Sequence, residues 1–132
     1  MSKCLSFFCL VLLTGFVSCA KQATEPVEEW RITPSPTDSL AVVAATDSSI
    51  AFTLWFTGPT SRHRFSHHEA VRVGRNCNVT VFVKEPVDSN AGLPVVIPLS
   101  ARIHLRLPQP DTYLFHFWRS DTASLDTAIA VP

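Results

Sequence analysis

Residues 111–118 read DTYLFHFW, and their alternation decides the fold class. In an extended chain Tyr113, Phe115 and Phe117 fall on one side, and Leu114, His116 and Trp118 on the other. The same period of two runs through earlier segments. Ile50, Phe52, Leu54 and Phe56 form one stripe, opposed by Ala51, Thr53, Trp55 and Thr57. Val79, Val81 and Val83 oppose Thr80, Phe82 and Lys84, and Ile103, Leu105 and Leu107 alternate with Arg102, His104 and Arg106. β-Branched and aromatic side chains suit a pleated, half-buried surface better than a helix.

Turn chemistry separates these stripes. Thr46-Asp47-Ser48-Ser49 divides the run Leu40, Val42, Ala44 from the Ile50 stripe and predicts a hairpin. Gly74-Arg75-Asn76 joins Glu69–Val73 to Cys77–Lys84 as a second pair. Glu85–Pro94 is predicted as a loop, followed by a short edge strand over Val95–Ile97 that Pro98 cuts. Leu125–Val131 closes the chain after a turn at Arg119–Ser124. No segment after residue 39 keeps a helical period for three turns. The pattern predicts an all-β fold, an antiparallel β-sandwich of seven or eight strands over residues 39–132.

The amino-terminal part has a different character. Residues 1–18, MSKCLSFFCLVLLTGFVS, carry one positive charge at Lys3 and then an apolar run from Leu5 to Val17. A run of about 13 residues matches the hydrophobic region of an export signal and falls short of the roughly 20 a spanning helix needs. Residues 19–38 then turn acidic and proline-containing, with Glu25, Glu28, Glu29, Pro26, Pro34 and Pro36, as expected of a tether. Trp30 and Ile32 interrupt it. They fit a first edge strand of the domain, or contacts with a partner.

Phe16-Val17-Ser18-Cys19 resembles the lipobox of bacterial lipoproteins. That resemblance implies lipidation of Cys19, removal of residues 1–18 and attachment to a membrane through the lipid. Phe16 stands where such motifs usually have Leu or Val, and ordinary cleavage near Ala20 is the alternative. Of Cys4, Cys9, Cys19 and Cys77, two lie in the expected signal and one is the lipidation candidate. No intramolecular disulfide is expected.

The ending PQPDTYLFHFWRSDTASLDTAIAVP resembles the last hairpin of bacterial immunoglobulin-like sandwiches, with Asp111 in place of a glycine in the entering turn. Residues 58–86 resemble the middle hairpin of small exported bacterial proteins with that fold, many without an assigned activity. The resemblance implies an immunoglobulin-like architecture and brings no catalytic residues. It also implies a cysteine pair near Ser61 and Ala91, which this chain lacks.

Composition narrows the function. Eleven basic side chains balance eleven acidic ones in 132 residues, and the pI is near 6.9. A nucleic-acid binder declares itself by a basic excess, so none is expected as a partner. Hydrolase, metalloprotease, phosphate-loop and dinucleotide motifs are all missing. A non-catalytic binding or structural module at the cell envelope is therefore expected, monomeric and without a cofactor, with an envelope protein or glycan as partner.

Three sets of residues are candidates for recognition. Arg102, His104 and Arg106 share one face of their strand, and the local excess of Arg62, Arg64, Arg72 and Arg75 over Glu69 adds positive charge nearby. Together they point to phosphate, acidic glycan or carboxylate ligands. Trp55 and Trp118, opposite the apolar stripes, are candidates for stacking on a sugar or seating a partner. His63, His67 and His68 lie within six residues and suggest, as the alternative, a periplasmic metal-binding domain. Their spacing fits no recognised motif, and adjacent His67 and His68 point to opposite faces of any strand.

Overall fold

The computed structural model describes residues 28–88 and 92–132. The expected signal at 1–18, Cys19 and Ala91 lie outside the described residues. Eight strands follow one another: β1 (Trp30–Ser35), β2 (Thr37–Thr46), β3 (Ser49–Gly58), β4 (Arg64–Val73), β5 (Asn76–Pro86), β6 (Ile97–Arg106), β7 (Asp111–Ser120) and β8 (Ala123–Val131). They form two sheets, one of β2-β3-β6 and one of β4, β5, β1, β7 and β8. The fold is an all-β sandwich.

The stripes become the core. Phe52, Leu54 and Phe56 of β3, Ile103 of β6, Val79, Val81 and Val83 of β5, and Phe115 and Phe117 of β7 are all buried. Phe52 meets Phe115 and Phe117 edge-on, with ring centroids 5.0 and 5.1 Å apart. These are favourable edge-to-face contacts across the two sheets. At one edge β2 lies over β8, and at the other β4 lies over β6.

Turns fix the register. Thr46 pairs with Ser49 around Asp47 (φ 50°) and Ser48 (φ 60°), the two-residue loop of a type I′ hairpin. Ser48 is held from both sides, because its N–H donates to Pro132 O (2.9 Å) and its carbonyl accepts from Leu107 N–H (2.8 Å). Val73 pairs with Asn76 around Gly74 and Arg75, and only Gly74 has positive φ (61°), as in a type II′ turn. Tyr113 Oη donates to Gln109 O at 2.7 Å. That back-bond is the tyrosine corner found at the start of a central strand in immunoglobulin-type sandwiches.

Three expectations need correction. First, the edge strand that Trp30 and Ile32 suggested is present as β1, so the sheets reach back into the stretch 19–38 expected as a tether. β1 pairs antiparallel with β5 from Trp30↔Pro86 to Ser35↔Val81. The chain crosses to the other sheet at Pro36, where Ser35 and Thr37 are both buried. Pro34 and Pro36, which forbid a helix, are tolerated on an edge strand and at a crossing.

Second, the sandwich is not wholly antiparallel. β5 and β7 pair in parallel from Asn76↔Leu114 to Val79↔Phe117. The chain leaves β5, reverses into β6 of the opposite sheet, and reverses again into β7. Two reversals restore the direction, and the intervening strand serves as the long crossover that parallel pairing requires.

Third, Val95 and Val96 are exposed and outside any strand, while β6 runs through Pro98. Among the described residues β6 pairs with β3 alone, and an edge strand accepts a residue that lacks an N–H. The loop before it is clasped to the segment after β3. Ser61 N–H donates to Leu93 O, Ser61 Oγ accepts from Leu93 N–H, and Arg62 pairs with Asp88. Hydrogen bonds and an ion pair thus tie these two loops together.

Candidate functional site

Register decides which candidates meet. β3 and β6 pair antiparallel, with Trp55 opposite Ser100, Thr53 opposite Arg102, Ala51 opposite His104 and Ser49 opposite Arg106. Residues paired in this way point to the same side. The core claims Phe52, Leu54, Phe56 and Ile103, so the alternate set faces outward. Trp55, Arg102, His104 and Arg106 therefore share the outer face of the three-stranded sheet, and all four are exposed. Arg102 and Trp55 are diagonal neighbours across the ladder, a separation long side chains span.

The surroundings of these groups are small and uncharged. Ser39, Ala41 and Ala44 of β2 pair with the outward residues of β3, and Ser100 flanks Trp55 on β6. No acidic residue occupies the paired positions of that face. Arg31, Arg62 and Arg75 form ion pairs with Glu85, Asp88 and Asp111. Among the described residues neither Arg102 nor Arg106 has such a carboxylate partner. Arg72 of β4 reaches this region from the other sheet, lining a small crevice with Arg106 and Leu105.

That pairing revises the sequence picture of a basic middle. Arg62 and Arg75 are balanced by carboxylates distant in the chain, so the excess read from residues 62–75 is partly cancelled. The proximity of Asp88 also raises the Arg62 guanidinium above its ordinary value, chiefly through the shared hydrogen bonds. Among the described residues Arg64 and Arg72 of β4, Lys84 of β5, Arg102 and Arg106 of β6 and Arg119 of β7 form no such ion pair, and of these Arg102 and Arg106 share a face with Trp55.

Trp118 is elsewhere. It projects from β7 on the outer face of the five-stranded sheet, opposite Ser124 of β8. The two sheets lie between it and Trp55, so the structure does not bring the two tryptophans together. Trp118 lines a surface notch of about 430 Å³ with Asn78, Thr80, His116, Asp121 and Ser124. Nothing in the linear sequence signalled this group, because the parallel register of β5 and β7 assembles it.

The histidines are dispersed. His63 is buried in the turn after β3, where its Nδ1 accepts from Thr60 N–H at 3.2 Å and lies 2.8 Å from Thr60 Oγ1. Glu85 Oε2 is 3.7 Å from the same nitrogen. His67 stacks on Phe82 of β5, with centroids 4.6 Å apart and planes within 4°. His68 turns to the opposite side of β4, and partial burial lowers its pKa below 6.5, with His67 contributing less. Among the described residues no three His, Cys, Asp or Glu side chains gather as a metal site. His63 is bonded within its own turn and His67 is stacked on Phe82.

Cys77 is a free thiol, buried under the β4 edge, and burial pushes its pKa up. A raised pKa disfavours the nucleophilic thiolate. Comparison with protein-family models, with curated proteins and with solved structures finds no match to this chain.

Proposed function

We propose that this chain is an exported, lipid-anchored module of the cell envelope that binds an anionic partner without chemical turnover. The ligand face is the outer side of β2-β3-β6. The observation that carries this reading is the joint exposure of Trp55, Arg102, His104 and Arg106 on one face whose paired positions hold no acidic residue. Buried or paired arginines stabilise a fold, whereas exposed arginines without carboxylates leave their donors for another molecule. Trp55 adds a flat apolar surface beside them, the pairing of aromatic and arginine that dominates many recognition surfaces. Carboxylate or phosphate groups of an envelope glycan or protein are the matching chemistry.

The amino-terminal sequence supplies the rest of the reading. A lipid on Cys19 confines the module near a membrane, and confinement raises the effective concentration of a weak binding face. The test uses the chain with Cys19→Ala, which is expected to lose membrane partitioning. That chain is mixed with isolated envelope material. It should be retained at low salt, released by about 1 M salt where the screening length is only about 3 Å, and not retained when Arg102→Ala and Arg106→Ala are added. Salt-insensitive retention, or retention unaffected by the arginine changes, contradicts the assignment.

A further inference from the structure

The notch beside Trp118 has an origin in the strand topology. β5 uses one edge for β4 along its length. On its other edge β7 pairs only with Asn76–Val79, and β1 takes over from Val81 to Pro86. Thr80 stands at the change of partner. Beyond Phe117 strand β7 must therefore part from β5, and a bulge between Trp118 and Ser120 accompanies the divergence. The β7–β8 turn, carrying Asp121, borders the opening this leaves. Bulges recur beside functional sites because they re-aim a side chain.

The walls have a consistent chemistry. Trp118 gives an apolar surface, and Asn78, Thr80 and Ser124 give groups that both donate and accept hydrogen bonds. The rim is held in place. His116 Nδ1 is 2.8 Å from Asp126 Oδ1, its Nε2 is 3.3 Å from Asn76 Oδ1, and Ser124 Oγ donates to Asp126. Bonds of this kind reduce the ordering cost of binding. Asp121 places negative charge at the mouth, which disfavours the anionic ligands expected on the other sheet.

We infer that this notch is a second binding site, specific for a neutral saccharide ring. The ring stacks its apolar C–H face on Trp118, and its hydroxyls bond to Asn78, Thr80 and Asp121. A volume of about 430 Å³ lies within the usual range for small-ligand sites, roughly 300–1,000 Å³. An amphipathic aromatic surface beside polar groups meets the needs of a sugar, which is apolar on its faces and polar at its edge.

The test is a titration of the full chain in a detergent without a sugar head group, followed by the indole N–H resonances of its tryptophans. Cellotetraose, chitotetraose and maltotetraose serve as probes at low-millimolar concentration. At least one should shift the Trp118 resonance saturably and leave that of Trp55 in place. Calorimetry with that sugar should show affinity falling about tenfold in Trp118→Ala and again in Asp121→Ala, a loss of about 1.4 kcal/mol each. The Arg102→Ala, Arg106→Ala chain should bind it unchanged, which separates this site from the anionic face. The inference is overturned if no sugar moves the Trp118 resonance, or if both notch variants bind as the parent does.

Discussion

Single residues carry several of the constraints on this fold. Gly58 ends β3 where a Cβ would lie 2.5 Å from His63 Cβ and 3.2 Å from Ile97. Gly58→Ala should therefore destabilise the domain by about 1–3 kcal/mol, the range for overpacking, as measured by urea unfolding. Thr37 is wholly buried, and its Oγ1 has no hydrogen-bond partner among the described residues. An unsatisfied buried hydroxyl costs roughly 1–3 kcal/mol. Thr37→Val should raise the unfolding midpoint, and a fall would show that the hydroxyl is satisfied in solution.

The partly buried His68 gives the fold a pH dependence of definite sign. Its native pKa lies below 6.5, so the unfolded chain binds the proton more readily. Stability from this group is complete above 6.5 and declines as pH falls through and below that value. His68→Gln should flatten the urea midpoint between neutral and mildly acidic pH. Asp126 has the ordinary carboxylate sign: bonds from Ser124 and His116 hold its pKa below 3.8, so its contribution fades only in stronger acid.

At the scale of strands and turns, the apolar stripes were legible because each is strictly periodic and each turn is short. Tyr113, Phe115 and Phe117 are buried as their alternation requires, and the hairpins at Asp47-Ser48 and Gly74-Arg75 lie where turn residues interrupt the stripes. β1 was legible only as an irregularity, two apolar residues inside a polar, proline-containing stretch. The parallel pairing of β5 and β7 left no local trace, since it depends on two reversals through the other sheet. For the same reason the grouping of Asn78 with His116 was invisible. Gly74 tests the turn assignment directly. No atom lies within 4 Å of a Cβ placed there, so Gly74→Ala meets only backbone strain. The expected loss is about 1–2 kcal/mol, seen as faster unfolding of the β4–β5 hairpin in amide exchange.

At the scale of the molecule, the sandwich separates two kinds of surface. The three-stranded sheet shows small residues, Trp55 and the β6 cations; the five-stranded sheet shows Trp118 in a polar notch. Parity alone put Arg102, His104 and Arg106 on the side of β6 away from the core, and Trp55 opposite the apolar stripe of β3, but it did not decide whether Trp55 was covered or open to solvent. It could not assign Trp118 to the opposite sheet, because parity relates a residue to its own strand and not to distant ones. Nor could it show that Arg62 and Arg75 are matched by Asp88 and Asp111, whose approach is made by the fold.

Anion recognition by the β2-β3-β6 face can be measured by calorimetric titration of the full chain with polyglutamate at low ionic strength. Saturable binding is expected, weakening as salt is added and dropping by about tenfold or more when Arg102 and Arg106 are replaced by alanine, with Trp118→Ala having no effect. Equal affinity in the parent and the double-arginine variant, or no binding by either, would contradict it.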